Sequence, residues 1–197
     1  MSSDPICKII FNIKDSTYDL LYGDLLENFA DTAMICPMIS RPKSRGRILL
    51  KSNNYLDKPV IVPNYFAFPE DVQVAIAGIR KYQKLIATEA MQKIGAKLLT
   101  TPVPGCETIL FDTDEYWECY MRHLTFSIWH YCGTSKMGSA SDPTSVVDAR
   151  LRVHRVKGLR VADTSIIPDI PVAHLNAPAM MIGEKASDMI KEDWNYI

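Results

Sequence analysis

Two histidines sit where an irregular stretch of chain could hold them for proton chemistry. His130 leads into Tyr131-Cys132-Gly133-Thr134-Ser135-Lys136-Met137-Gly138, a turn of small residues. His174 lies in Ile166-Ile-Pro-Asp-Ile-Pro-Val-Ala-His174-Leu-Asn-Ala-Pro178, between proline-bearing segments and a helix start. Prolines on both sides make a rigid loop, and rigid loops on a packed scaffold commonly carry functional side chains. Imidazole accepts or donates a proton near neutral pH, so both are candidates for acid–base work. Spacing alone names no reaction. The remaining histidines, His123 and His154, read as structural, the ordinary fate of a lone histidine. Cys132 raises a second chemistry, a thiol nucleophile, but no neighbour in sequence supplies an ordered base for it.

The elements that must position these groups are legible in part. Gly46–Lys51 and Val60–Val62 read as short strands, joined by a polar connection and closed by Pro63 and Asn64. Phe68-Pro69-Glu70-Asp71 is a helix start, with proline in the first turn and two carboxylates at the positive end of the dipole. Behind it Val72, Ile76, Ile79, Tyr82, Ile86 and Ala90 fall at helical spacing, with Gly95 as a stop. Leu98 to Cys106 is proline-rich and irregular. Asp112–Arg122 reads as a helix capped by Asp112 or Thr113. Ala179 to Trp194 reads as the last helix, led in by Asn176-Ala-Pro178, with Met180, Ile182, Ala186, Met189 and Ile190 on a mostly buried face; Met180 and Met181 read as core filler. Strands and helices that do not alternate predict an α+β fold.

A chain of 197 residues holds one substantial core or two small ones. With 22 basic and 23 acidic residues and a net charge of -1, it offers no strong field for nucleic acid or an anionic membrane. The basic run Arg41-Pro-Lys43-Ser-Arg45-Gly-Arg47 reads as a solvated turn before a strand. No apolar run reaches the ~20 residues that cross a bilayer, and the N-terminus lacks the pattern of a secretory signal. Five cysteines, Cys7, Cys36, Cys106, Cys119 and Cys132, form no zinc-type spacing, and their odd number leaves at least one free thiol unless chains cross-link. Cys106 and Cys119 flank a short loop, and sequence leaves their pairing open.

Longer motifs add a resemblance. WHYCGTSKMG, DPTSVVDARLRVHRVKGLRVADTSIIP and AHLNAPAMMIGEKASDMI resemble the catalytic C-terminal segment of the glucose–methanol–choline (GMC) oxidoreductases. RPKSRGRIL, PNYF and PEDV are also similar, particularly to the family's insect glucose-dehydrogenase-like branch, so the resemblance runs over about residues 37–194. It implies oxidation of a CH–OH group in a small alcohol or sugar, with hydride passing to FAD and on to quinone or oxygen. His130 would be the base that accepts the alcohol proton. His174 would occupy the second catalytic position, histidine or asparagine in the family, and orient the alcohol. Asp163 would approach the ribityl–diphosphate part of the flavin. Leu175 and Asn176 would lie at the pyrimidine edge of its ring, where a donor stabilises negative charge. The implied fold is a mainly antiparallel sheet with flanking helices. Residues 1–36 would begin the substrate domain, 37–157 form the substrate-binding domain, and 158–197 supply a strand and helix returning to an FAD-binding domain.

The sequence departs from the family in places. Tyr131 stands where many relatives have proline, His174 where many insect-type members have asparagine, and Arg155 where those members have glycine. Among nine glycines no three make GxGxxG, the turn that lets a helix N-terminus meet a diphosphate. The expectation is therefore the C-terminal part of a longer enzyme, extracellular if the full-length form carries a signal peptide, and weak in FAD binding alone. A non-catalytic module that keeps the fold for binding or structural purposes is the competing reading.

Overall fold

The computed structural model describes residues 5–28 and 30–196. Residues 1–4 of the stretch read for a secretory signal, and the side chain of Cys7, lie outside the described residues. The chain divides into two compact units, Met1–Ile39 with Tyr65–Phe126, and Ser40–Asn64 with Ser127–Ile197.

The first unit is helical: α1 (Pro5–Ile10), α2 (Asp15–Glu27), α3 (Pro69–Ile86), α4 (Glu89–Lys93) and α5 (Asp114–Leu124). Tyr18, Leu21 and Tyr22 share one face of α2 and are buried with Val103, Cys106, Tyr116 and Trp117. Neither α1 nor α2 was evident in sequence, because exposed Leu20 and Leu26 blur the apolar stripe of α2. The predicted stripe on α3 holds, with Val72 buried and Ile76 and Ile79 packed against the same cores. The stripe does not run on into one helix as far as Ala90. Thr88 Oγ1 donates to the Leu85 carbonyl at 2.7 Å and closes α3, after which α4 starts afresh. At α5, Thr113 rather than Asp112 is the cap, its hydroxyl accepting the Tyr116 N–H at 3.2 Å. Asp112 serves as a hub instead, accepting from Trp117 Nε1 at 2.8 Å and pairing with Arg80.

Cys106 and Cys119 are joined by a disulfide, which ties the proline-rich loop to α5. Gly105 makes the approach possible. Its φ is +95°, and a Cβ there would fall 2.9 Å from His123 Nε2.

The second unit holds β1 (Arg47–Leu49), β2 (Val60–Val62), a 3₁₀ turn (Thr164–Ile166) and α6 (Asn176–Asp193). The strands pair antiparallel, Ile48 opposite Ile61. Gly46 lies so close to the returning strand that a Cβ would sit 2.5 Å from the Val62 carbonyl oxygen. Between Ser127 and Ala173 the chain is largely irregular, linked by single bridges Met137–Val147, Val147–Val153 and Arg152–Arg160. Val147, Leu151, Ile166, Ile182 and Ala186 form its core.

This overturns the expected sheet-dominated fold: 38% of the residues are helical and 6% extended, and the one sheet among the described residues has two strands. The extended runs cannot grow into strands because turns interrupt them. Leu151 and Arg155 have φ of +64° and +62°, and Gly158 follows at +74°, conformations that no ladder accommodates. The anticipated return strand near Leu159–Ala162 is reduced to the single bridge at Arg160. On α6, Ile182 and Ala186 are buried as anticipated, whereas Met180, Met181 and Ile190 are exposed, so the methionines are not core filler here.

Candidate functional site

His130 closes a tight turn, its N–H donating to the Ser127 carbonyl at 3.1 Å. The central residues, Ile128 and Trp129, have φ of +49° and +60°. Positive φ at both centres is the hallmark of a primed turn, normally built from glycine or asparagine. A β-branched isoleucine disfavours that region strongly.

After the turn the chain is stitched along the 3₁₀ segment. Thr164 Oγ1 donates to the Tyr131 carbonyl at 3.2 Å. Ser135 N–H donates to the Ser165 carbonyl at 2.9 Å, and Met137 N–H to that of Ile166 at 2.8 Å. Gly133, at φ +85°, passes close enough to Ile167 that a Cβ would lie 3.2 Å from its carbonyl oxygen. These bonds hold His130 at one end of a seam whose other end runs through Pro168–Ala173 to His174. Arg45 braces that loop through an ion pair with Asp169 at 2.9 Å. The basic run was read as a solvated turn, and it does lie at the surface, but its link to this loop left no trace in the sequence.

His130 Nε2 and His174 Nδ1 are 2.7 Å apart. The rings face each other with centroids 4.8 Å apart and planes at 50°. Leu175, the next residue, directs its backbone N–H to His130 Nδ1 at 3.4 Å. An amide N–H can only donate, so in this arrangement Nδ1 of His130 is the acceptor and its proton sits on Nε2. That proton then points at His174 Nδ1. The pair thus holds one N–H against one lone pair at hydrogen-bond distance, and these two functions become available to a hydroxyl oxygen only when the rings part. His174 is exposed and His130 half-buried. Trp129 and Tyr131 beside them are also exposed, so within this chain the pair is open to water.

Leu175 is buried and precedes α6 without a capping side chain. The first N–H groups of any α-helix lack partners within the helix, and here those of Asn176 and Ala177 come directly after the histidine loop. Asp163 bonds elsewhere. Its carboxylate caps the 3₁₀ turn by accepting from the Ser165 N–H at 2.7 Å, and the bonds from Ser165 hold its carboxyl below the usual range. Of the five residues singled out in sequence, His130, His174 and Leu175 are in mutual contact, Asn176 adjoins them in the chain, and Asp163 makes no hydrogen bond to the pair.

The other candidates resolve structurally. Burial pushes the Cys132 thiol up, away from the thiolate a nucleophile requires. His154 Nε2 lies 3.1 Å from the Gly138 carbonyl oxygen, a bond within the fold. His123 bonds the Cys119 carbonyl through Nδ1 at 2.9 Å, one helical turn back.

Comparison with known proteins gives the family to which the chain belongs. The sequence profile of the GMC oxidoreductases, C-terminal region, matches residues 42–183, and the chain belongs to that family. It is 42% identical over 172 residues to glucose dehydrogenase [FAD, quinone] of Drosophila pseudoobscura pseudoobscura, covering 87% of this chain and 28% of that protein. It is 38% identical over 159 residues to choline oxidase of Arthrobacter globiformis, covering 80% and 28%. Among solved structures, a fungal aryl-alcohol oxidase superposes with a TM-score of 0.66 at 36% identity, covering 79% of this chain and 25% of that one. An FAD-dependent oxidoreductase from Chaetomium thermophilum gives 0.65 at 30% identity, covering 79% and 26%. The chain therefore spans about 28% of the length of the curated relatives it matches. Insect and bacterial relatives match at comparable identity, which places the chain in the family at large.

The residues present fit one edge of a flavin. The uncapped start of α6 offers backbone donors and the positive end of a helix dipole beside the histidine pair, suited to a ring edge that gains negative charge. A diphosphate cradle of the GxGxxG type is not among the residues of this chain.

Proposed function

We propose that this chain supplies the alcohol-oxidising side of a flavin-dependent active site. The observation that carries the reading is the His130–His174 contact at 2.7 Å, backed by the Leu175 N–H. A substrate hydroxyl that displaces this contact, the rings parting to admit it, would donate its proton to one imidazole and accept a hydrogen bond from the other. By the family resemblance the acceptor is His130, and His174 orients the alcohol. FAD, when bound, would supply the hydride acceptor. Asn176 and the N–H groups opening α6 would face the ring's pyrimidine edge, with Asp163 toward the ribityl–diphosphate part. Residues 37–157 would shape the substrate side and 158–197 the flavin side. A small alcohol or sugar is the substrate class and quinone or oxygen the final acceptor. The 42% identity over 87% of this chain supports placement near the insect glucose dehydrogenases.

A second assignment of the pair follows from the Leu175 contact. With Nδ1 of His130 accepting that N–H, the lone pair across the gap belongs to His174, which would then be the base and His130 the orienting donor. At 3.4 Å the contact is long for a hydrogen bond, and a modest ring rotation releases it.

Both assignments can be tested by exchanging residues 42–183 into the matching segment of the Drosophila pseudoobscura relative, which brings its own flavin-binding part. His130→Ala should slow alcohol-dependent flavin reduction by about 10²–10⁴-fold. Near-normal reduction would refute a role for His130. Asparagine can donate or accept but is no base, so His174→Asn should be milder than His130→Asn if His130 is the base, with the order reversed under the second assignment. An exchanged protein that binds FAD and stays inert with both histidines intact would favour the non-catalytic module.

A further inference from the structure

Cys106, Cys119 and His123 meet within the first unit, and none of them belongs to the histidine pair. Each offers an atom that can bind a metal, and the three atoms lie within 4.8 Å of one another. Cys119 and His123 stand one turn apart on α5, the i, i+4 spacing that sets two side chains on one helix face. Cys106 comes from the proline-rich loop and is fully buried in the core that includes Val103, Tyr116 and Trp117. The imidazole lies against both sulfurs: His123 Nδ1 is 3.7 Å from Cys106 Sγ and 3.9 Å from Cys119 Sγ.

Those two distances have a chemical meaning. A tetrahedral Zn²⁺ with Zn–S bonds of about 2.3 Å and a Zn–N bond of about 2.0 Å holds each sulfur about 3.5 Å from the nitrogen. Both sulfurs already lie close to that separation from Nδ1. What stands in the way is the S–S bond, because the metal ligand is a thiolate and a disulfide sulfur is not one. Two thiolates and an imidazole suit a borderline-soft d¹⁰ ion, whereas Ca²⁺ and Mg²⁺ take oxygen ligands. The sequence conceals the set, since its members come from a loop and a helix and make no Cys-x-x-Cys run.

We propose that reduction of the Cys106–Cys119 disulfide converts this cluster into a binding site for a divalent ion of the zinc class. The reductant is a dithiol. Its first thiolate attacks Cys119 Sγ, the S–S bond breaks, and Cys106 leaves as a thiolate. The dithiol's second sulfur then displaces Cys119 Sγ and closes the reductant's own disulfide. Two electrons and two protons reach the protein, and both thiol protons pass to solvent when the ion binds. In the disulfide form His123 Nδ1 donates to the Cys119 carbonyl at 2.9 Å. In the metal-bound form that proton sits on Nε2, and the Nδ1 lone pair faces the ion. Water takes the fourth position. The ion then ties the proline-rich loop to α5, as the disulfide does before reduction.

The test uses the whole 197-residue chain carrying Cys7→Ser, Cys36→Ser and Cys132→Ser, so that Cys106 and Cys119 supply its only sulfur ligands of the thiol type. It is titrated with Co²⁺ alone, in the disulfide form and after reduction by a phosphine, which leaves no dithiol to compete for the metal. A thiolate-to-cobalt charge-transfer band that saturates at one ion per chain, and that Zn²⁺ abolishes, is expected in the reduced form only. Zn²⁺ should also raise the melting temperature of the reduced chain, which separates a folded site from metal caught by unfolded chain. His123→Ala should weaken Co²⁺ binding by at least about 100-fold, since loss of a group that merely orients a ligand costs ~10–100-fold. His123→Cys should restore binding with a stronger band, because a third thiolate joins the set. Equal affinity of His123→Ala and its parent would overturn the proposal, as would a silent His123→Cys or equal Co²⁺ binding by the disulfide form. A reduced chain that loses its helical circular dichroism and does not regain it with Zn²⁺ would overturn it too.

Discussion

His130 Nε2 and His174 Nδ1 lie 2.7 Å apart although 44 residues separate them in the chain. Two nitrogens at that distance share a single hydrogen, so on the function proposed above the imidazoles would act on a substrate oxygen as one device. In the exchanged enzyme, His130→Ala and His174→Ala should therefore be strongly non-additive, the double variant losing little beyond the worse single. Steady-state and single-turnover flavin reduction would measure this. Multiplicative losses would mean that each ring works alone.

The Cys106–Cys119 disulfide closes a loop of 13 residues in separation. Loop-closure entropy assigns such a cross-link about 3 kcal/mol, mostly by restricting the unfolded chain. Replacing both cysteines with alanine should lower the denaturation midpoint of the first unit, and adding a dithiol reductant to the parent should do the same. An unchanged midpoint in the double variant would show that the proline-rich loop holds its place without the bond.

Asp142 accepts from Lys136 Nζ at 2.8 Å and from Thr144 N–H and Oγ1 at 2.8 and 2.7 Å. Chiefly through Lys136, these bonds hold its carboxyl well below the ordinary 3.8. A carboxyl depressed in the folded state stabilises fully above its unfolded value, and that contribution drains away as pH falls toward the folded value. Asp142→Asn should lower the melting temperature at pH 7, with the gap to the parent narrowing below about pH 4. A gap that stays constant down to pH 2 would disprove the electrostatic account.

No side chain caps the α6 start, which on the function proposed above would face a flavin edge, and the nine glycines make no GxGxxG turn for a diphosphate. The 197-residue chain purified alone should be colourless and should bind added FAD weakly. Absorbance near the flavin bands after gel filtration would check it, and stoichiometric yellow protein would contradict it.

What was readable in sequence follows physical rules of different range. Val60–Val62, the Pro69 helix start and the Asn176 helix are local signals of β-branching, dipole and proline placement, and all three stand. The histidines were legible as candidates because prolines and small residues surround them, and the family motifs joined them. Their separation, the Leu175 contact and the Arg45–Asp169 brace are long-range and leave no pattern in composition. The sheet was expected from the family resemblance and not from the residues, while the left-handed Leu151 and Arg155 that interrupt this stretch of chain are invisible in residue type. The disulfide needed Cα atoms 6.0 Å apart, which only the fold supplies.

The turn at Ile128 and Trp129 sets two aims against each other. Left-handed backbone at consecutive non-glycine residues costs about 1–2 kcal/mol each, so the segment before His130 holds its shape because its surroundings impose it. Glycine at Ile128 would calm the backbone and, by the same stroke, widen the range of directions in which the imidazole can point. Robustness and aim draw on the same residue, and evolution toward a sturdier chain at this corner would blur the histidine it carries.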